Sequence, residues 1–190
     1  MITSVTTEYD RISVHGVRRS LLEAQVERLG LPLFEIELAP SCTNDAYEAA
    51  FLSALARIRS QLPDVTHVAF GDLFLEDVRA YRERLLAGSE FEPLFPIWGE
   101  NTAALSRRFI DDGFAARIVC VDTSQLNIAF AGRAFDTKLI AYLPAAVDPC
   151  GERGEFHTFV SDGPVFSAPV SYRVGKAVLR DDRFMYTDLE

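Results

Sequence analysis

Strand-like and helix-like segments alternate over the first two thirds of the chain, and this alternation restricts the fold more than any other feature of the sequence. Short apolar or β-branched runs are each followed by a segment whose apolar residues recur at helical spacing. The strand candidates are Ile2 to Thr7, Pro32 to Leu38, Val65 to Phe70, Leu94 to Trp98 and Ala115 to Val121. Alternation of this kind is typical of a parallel sheet with helices on both faces, so we predict an α/β fold.

Capping residues mark the ends of the predicted helices. Gly30 follows the first helical pattern as a stop signal. Asn44 is a candidate N-cap for the long second helix, and Asn101 or Thr102 for the fourth. Asp136 is a candidate cap for a short helix in the last third of the chain. These signals predict where each helix begins and ends, but not how the helices pack.

The pattern changes after Asp122, where the regular alternation stops. A turn at Asp162-Gly163-Pro164 and hairpin-like material from Ala168 to Leu179 follow, and the tail is polar. We therefore predict two units, 1–122 and 123–190, with a boundary near residues 122–125. The second unit is expected to be a small α+β domain.

Net charge disfavours nucleic acid as a partner. The chain has 28 acidic and 19 basic residues, which gives a formal charge of −9. An excess of this sign repels a phosphate backbone unless a basic patch offsets it. The basic clusters are only the doublets Arg18-Arg19 and Arg107-Arg108. We expect no nucleic-acid groove, although a single pocket for a small anion stays compatible with this charge.

Cysteine usage and hydropathy favour a protein of the reducing cytoplasm. Three cysteines without a CxxC spacing, Cys42, Cys120 and Cys150, argue against a disulfide framework and a zinc ribbon. Apolar residues make up 48% of the chain, enough for a sizeable core. The first residues do not have the pattern of a signal peptide, and no segment approaches about 18 consecutive apolar residues. We therefore expect no membrane partner.

The stretch from Asp148 to Val165 is the most informative for function. Gly151 and Gly154 permit a turn that side chains do not crowd, and Glu152 and Glu155 flank it. Backbone N–H groups and carboxylates could then converge on a ligand. The alternative is an ordinary glycine turn that leads into a strand, with both glutamates in solvent.

Two further residues of this stretch have reactive side chains. His157 could face a pocket or water, and a lone histidine is more often structural than catalytic. Cys150 could be a nucleophile, but no sequence feature lowers its pKa. A metal site that combines Cys150, His157 and the glutamates has no recognised ligand spacing.

Three other places could contribute to a site. Asp72, with Gly71, follows a predicted buried strand and could hold a ribose hydroxyl or a metal, or could cap the next helix. His15 and Gly16 precede a helix and could present N–H groups to an anion, or could lie at a solvated helix start. Trp98 could form the lip of a binding site or pack in a strand-to-helix turn.

Four motifs resemble the diphthine–ammonia ligase (diphthamide synthase) family of the PP-loop ATP pyrophosphatase superfamily. They are His15 to Gln25 (HGVRRSLLEAQ), Phe70 to Arg79 (FGDLFLEDVR), Pro96 to Thr102 (PIWGENT) and Cys150 to Val160 (CGERGEFHTFV). The similarity runs from about Thr3 to Phe166, and the last motif is the most specific. It implies a Rossmann-like (adenine nucleotide alpha hydrolase-like) domain over 1–122 and a family-specific substrate domain over 123–190.

The resemblance also implies chemistry and assigns roles to residues. In this family ATP, with Mg²⁺ implied by the triphosphate, adenylates a substrate carboxylate, and ammonia displaces AMP to leave an amide. The implied catalytic residues are Glu152, Glu155 and His157. The implied nucleotide-binding residues are His15, Gly16, Gly71 and Asp72, and the implied substrate-binding residues are Gly151, Gly154, Thr158 and Trp98.

Two departures from the family pattern shape what we expect. The sequence contains no Ser-Gly-Gly-Lys-Asp-Ser loop, whose N–H groups and lysine hold pyrophosphate in the family. Phe156-His157 stands where diphthine-modifying members more often have Tyr-Glu, a form similar to the bacterial branch, so we expect a substrate other than diphthine. Two interpretations stay open: an amide-forming ligase given without its phosphate loop, or a non-catalytic nucleotide- or metabolite-binding module that forms oligomers.

Overall fold

Nine strands form three separate sheets in the computed structural model, which describes residues 1–190. The strands are β1 (Ile2–Thr6), β2 (Arg11–Ile12), β3 (Phe34–Leu38), β4 (His67–Ala69), β5 (Glu92–Leu94), β6 (Ala115–Asp122), β7 (Phe156–Asp162), β8 (Val174–Arg180) and β9 (Phe184–Leu189). The α-helices are α1 (Arg19–Leu29), α2 (Asn44–Gln61), α3 (Glu76–Leu86), α4 (Thr102–Asp111) and α5 (Thr137–Tyr142), and one 3-10 turn covers Ile128–Phe130. The mixed α/β class predicted from the alternation is confirmed.

Two of the sheets contain the parallel pairs that the alternation predicts. β1 pairs in parallel with β3, and the short β2 returns antiparallel along the other edge of β1. β4 pairs in parallel with β5 as a sheet of its own. The long helix α2 joins the two pairs, since its buried residues Phe51, Leu55 and Ile58 pack with Phe34 of β3 and Val68 of β4 in one core.

The third sheet corrects the prediction of a single parallel sheet. Its strand order is β7-β6-β9-β8, and every pair is antiparallel. β6, expected as another strand of the parallel sheet, lies inside this antiparallel one. Its side chains from Ile118 onward are nearly all buried, and such an apolar run suits a central strand of either kind of sheet. The small sheets therefore replace the continuous Rossmann-like sheet that we expected.

Helix α1 holds the N-terminal segment against the antiparallel sheet. Leu22 and Val26 pack with Val5 of β1, whereas Leu21 packs with Val119 and Leu189 of the third sheet. Because one helix contributes to both cores, the residues just before α1 lie over β6, β7 and β9. This packing places His15 next to the family motif.

Local signals predicted helix ends well. Gly30 adopts the left-handed conformation (φ 65°) as the C-cap of α1. The side chains of Asn101 and Asp136 cap α4 and α5 by accepting from the N–H groups of Ala104 and Leu139. The cap of α2 is Thr43 rather than Asn44, so that prediction is wrong by one residue.

Two strand predictions need correction. β5 covers Glu92–Leu94, because Phe95 to Trp98 forms a turn in which the Trp98 N–H donates to the Phe95 carbonyl. The predicted polar tail is strand β9, held at its start by the buried carboxylate of Asp122, which forms two hydrogen bonds with Arg183. None of the helices combines the length and apolar character needed to cross a membrane.

Candidate active site

Two buried carboxylates shape the segment of residues 148–155, here called the glycine–glutamate loop. Glu155 is 2% exposed, and its two carboxylate oxygens accept hydrogen bonds from the N–H groups of Asp148 and Arg153, both at 2.9 Å. The carboxylate of Asp148 accepts from the N–H of Cys150 at 2.8 Å. Charged acceptors make stronger hydrogen bonds than neutral ones, so these groups stabilise a loop that has no secondary structure.

The other glutamate of the motif reaches across to a different part of the chain. Glu152 Oε1 accepts from the N–H of Leu73 at 2.8 Å, and Leu73 in turn accepts from the N–H of Gly99 at 2.7 Å. The Cys150 thiol contacts the carbonyl of Thr102 at 3.4 Å. Three of the four family motifs therefore meet here, although they lie far apart in the sequence. The interpretation that leaves both glutamates in solvent is wrong.

Positions 151 and 154 favour glycine for different structural reasons. Gly151 has φ 71°, and a Cβ at this position would lie 2.7 Å from the carbonyl oxygen of Phe156. Gly154 has φ 78° with open space around it. Backbone crowding thus requires glycine at 151, whereas at 154 only the conformation favours it.

Asp72 lies beside this junction and has an unsatisfied oxygen. Its Oδ2 is buried without a hydrogen-bond partner, 3.7 Å from the Nε of Arg82, which is also unpartnered. The N-cap of α3 is Leu75, so Asp72 does not cap that helix. A buried acceptor without a donor is unfavourable, and a ligand hydroxyl would relieve that cost.

Trp98 forms part of an aromatic wall next to Asp72. The Arg79 guanidinium lies 4.8 Å from the ring centres of both Phe95 and Trp98. Arg82 lies 5.1 Å from the ring of Phe70. Cation–π contacts of this kind fix the two arginines in place. The turn interpretation of Trp98 and the binding-lip interpretation are therefore compatible.

The structure brings His15 and His157 together. Their ring centres are 4.5 Å apart, with the rings tilted by 41°. Burial lowers the pKa of His157 to about 4, and the neighbouring His15 lowers it further. Burial also lowers the pKa of His15. Both imidazoles are therefore neutral at pH 7.

The backbone N–H groups of His15 and Gly16, in the loop before α1, already donate hydrogen bonds within the chain. The N–H of His15 donates to the Ser13 carbonyl, and that of Gly16 to the Ile12 carbonyl. These N–H groups are therefore not free to hold an anion, and the loop contributes the His15 side chain instead. Gly16 (φ 72°) lies against Tyr186, since a Cβ there would be 2.5 Å from the ring.

His157 belongs to a row of side chains that crosses the antiparallel sheet. Cys120 of β6 lies opposite both His157 of β7 and Tyr186 of β9, and Val178 of β8 lies opposite Tyr186. Directly opposite residues in antiparallel strands point to the same face. This cross-sheet row was missed in the sequence, because Tyr186 stands in a polar tail. Thr158, its neighbour in β7, lies opposite Ile118 instead.

Cys120 and Cys150 do not have the properties of nucleophiles. Burial raises the pKa of Cys150 to about 12 and that of Cys120 to about 11. Both thiols are therefore protonated at neutral pH, and a thiol reacts far less than a thiolate. No group of three or more His, Cys, Asp or Glu side chains converges as metal ligands. The structure thus does not form the metal site considered for Cys150, His157 and the glutamates.

Comparison with known proteins supports the motif resemblance. Residues 101–181 match the model of the diphthamide synthase C-terminal domain. A protein of Danio rerio named diphthine–ammonia ligase is 24% identical over 193 residues, which covers 94% of this chain and 75% of the relative. The matched domain contains the glycine–glutamate loop and His157, whereas His15, Asp72 and Trp98 precede it or lie just outside it.

The matched residues include β6, β7, β8 and the glycine–glutamate loop, whereas β9 lies outside the match. In these residues the chain is similar to the diphthamide synthase family, in line with the motif resemblance.

Proposed function

We propose that the chain supports ATP-dependent formation of an amide from a carboxylate and ammonia. The observation that carries this proposal is the hydrogen bond from Leu73 to Glu152, because it attaches the family's specific loop to the strand end where Asp72 has an unsatisfied oxygen. A nucleotide at Asp72 and a reacting carboxylate at the loop would then be neighbours. The family relationship supports the same reaction class.

The residues near Asp72 suit an adenine nucleotide. Asp72 Oδ2 would accept a hydrogen bond from a ribose hydroxyl. A Cβ placed on Gly71 would meet no other atom within 4 Å, so a nucleotide can approach the backbone there. When bound, ATP would supply the AMP group that activates the carboxylate. We further propose that the parallel pairs β1–β3 and β4–β5, joined by α2, belong to a Rossmann-like nucleotide unit.

The two glutamates act on the loop rather than in the reaction, as we interpret their contacts. Glu155 uses both oxygens on backbone N–H groups, and one oxygen of Glu152 is used by Leu73. Glu155 therefore positions the loop. The second oxygen of Glu152 forms no hydrogen bond within the chain and could receive an ammonium ion.

The substrate that we propose is a carboxylate other than diphthine. Its site would include Trp98 and the neutral pair of His15 and His157, which adds no charge at pH 7. An uncharged wall of this kind would favour neutral ammonia as the attacking species and keep water out. The three free cysteines are consistent with a cytoplasmic location.

Nucleotide binding is the first experiment. Isothermal titration of the full chain with AMP and with ATP should detect binding that weakens about ten-fold in Asp72→Asn, because one charge-assisted hydrogen bond is lost. Asp64→Asn is the matched control, because Asp64 is exposed and forms no hydrogen bond or ion pair. Equal affinity in wild type and Asp72→Asn would contradict the proposed nucleotide contact.

The binding-module alternative is favoured by one observation: the carboxylates implied as catalytic are engaged by the chain itself. AMP release from ATP, measured with ammonium chloride and a panel of small carboxylates, distinguishes the two functions. Release that depends on a carboxylate supports the ligase. Binding of AMP and ATP with equal affinity and without turnover supports a binding module.

A further inference from the structure

A large cleft is lined by Tyr186 and Val178, two members of the cross-sheet row. It has a volume of about 1040 Å³ and separates the N-terminal segment of residues 6–16 from the hairpin of β8 and β9. Gly16 and Tyr186 contribute to its wall. A cleft of this volume is large enough for a small organic ligand.

The acidic groups of the cleft are mostly neutralised by the chain. Asp188 forms ion pairs with Arg11 at 2.8 Å and with Arg18 at 2.5 Å, and Glu190 pairs with Arg18 and Arg173. These partners keep the carboxylates from repelling an anion. Asp181, at the hairpin turn, is the remaining acidic group.

Two cations of the cleft have no acidic partner. Lys176 and Arg180 both line it, are exposed, and form neither an ion pair nor a side-chain hydrogen bond. They extend from the same strand as Val178, which lies between them and opposite Tyr186. The wall therefore combines free positive charge with an apolar and aromatic surface.

The opposite wall has an aromatic ring and a strained residue. Tyr9 is 51% exposed, and the guanidinium of Arg180 lies 5.9 Å from its ring centre. Val14 is 63% exposed with φ 65°, a backbone conformation that is a genuine outlier for a β-branched side chain. Strain of this kind is concentrated at ligand-contacting segments.

We propose that this cleft binds a small organic anion whose carboxylate or phosphate group lies between Lys176 and Arg180, with its apolar part against Val178 and Tyr186. Lysine and arginine supply charge-assisted donors to such oxyanions. The tyrosine ring and the valine account for the apolar part. This inference concerns a second site and does not depend on the proposed ligase function.

Nuclear magnetic resonance titration of the isotope-labelled full chain tests it. The probes are benzoate and phenyl phosphate, and benzyl alcohol is the uncharged comparison. We expect saturable shifts at Tyr9, Val14, Val178 and Tyr186 with both anions, and affinity for benzyl alcohol at least about ten-fold weaker. Stronger binding of one anion tells carboxylate from phosphate. Shifts that do not saturate, or equal binding of the alcohol, would overturn the proposal.

Matched variants test whether the anion is bound by Lys176 and Arg180. Lys176→Gln and Arg180→Gln should each weaken anion binding about five- to ten-fold. Lys138→Gln and Arg107→Gln remove the same charges from exposed helix positions outside the cleft and should leave the affinity unchanged. Equal weakening in all four variants would mean that only net charge matters, and would also overturn the proposal. The comparison of anion and alcohol in wild type does not depend on the folding of any variant.

Discussion

The imidazole rings of His15 and His157 lie 4.5 Å apart, although one precedes the first helix and the other stands in the seventh strand. Two cations at this separation would repel each other, and burial already disfavours charge on either ring. The pair is therefore uncharged in the folded protein at pH 7. Protonation at lower pH acts against the folded state.

Stability should fall as the pH decreases from about 6.5 to 4. The unfolded chain binds a proton at His157 near the ordinary pKa of 6.5, whereas the folded chain does so only near pKa 4. Between these values the unfolded state binds more protons, so stability is lost as pH falls and the loss is complete below about 4. We expect His157→Gln to remove roughly 3 kcal/mol of this dependence.

Urea unfolding at a series of pH values measures the effect. His67→Gln is the control, because it removes a histidine of β4 that lies outside the buried pair. Parallel curves of stability against pH for wild type and His157→Gln would show that the histidine pair does not govern the pH dependence.

Replacement of Glu155 should destabilise the glycine–glutamate loop. Glu155→Gln keeps one acceptor oxygen but turns an NH₂ group toward the second backbone N–H, so a buried donor loses its partner. We expect a loss of about 2–3 kcal/mol in the free energy of unfolding. Urea denaturation checks this against Glu8→Gln, an exposed residue without ion pairs, which should cost less than about 0.5 kcal/mol. Equal stability of the two variants would refute the loop-positioning role.

The two motif glycines should respond differently to alanine. Gly151→Ala introduces both a strained φ and a Cβ 2.7 Å from a carbonyl oxygen, and should cost about 2–4 kcal/mol. Gly154→Ala introduces only the strained φ and should cost about 1 kcal/mol. Thermal unfolding of the two alanine variants compares their loss of stability. An equal loss would mean that the loop moves away from Phe156 at little cost in free energy.

Asp188 should contribute stability that disappears only in strong acid. Hydrogen bonds from Arg18 and Arg11 lower the pKa of Asp188 to about 2. A lowered carboxyl pKa stabilises the fold above the ordinary value near 4, and the contribution is lost as pH falls from about 4 to 2. Asp188→Asn should therefore be less stable by about 1 kcal/mol at pH 7. Carbon-13 titration of the Asp188 carboxyl measures its pKa, and a value near 4 would contradict the role of the two arginines.

Local features of the fold could be predicted from the sequence because they depend on neighbouring residues. Gly30 ends α1 through its own backbone freedom, and Asn101 and Asp136 cap their helices within three residues. Strand pairing depends on distant partners instead. β6 has an apolar pattern that fits both kinds of sheet, and only its neighbours β7 and β9 make it antiparallel.

The candidate site shows the same division. The motif residues were found from sequence, but their relationships were not, because the bond from Leu73 to Glu152 joins residues 79 positions apart. Tyr186 was missed since the alternation of β9 mixes cleft-facing polar groups with buried ones such as Met185. An unsatisfied oxygen on Asp72 is likewise a property of the packed structure alone.

Because the Cys150 thiol contacts the Thr102 carbonyl, the reactivity of this thiol reports when the glycine–glutamate loop opens. A thiol-reactive dye should label Cys150 slowly until the loop moves away from α4, because burial raises the pKa of this thiol and its Sγ is held by the Thr102 carbonyl. The labelling rate of Cys150 then measures how often the loop moves away from α4. A molecule that holds the loop closed would lower this labelling rate. The chain thus carries its own reporter of loop opening, which needs no engineered probe.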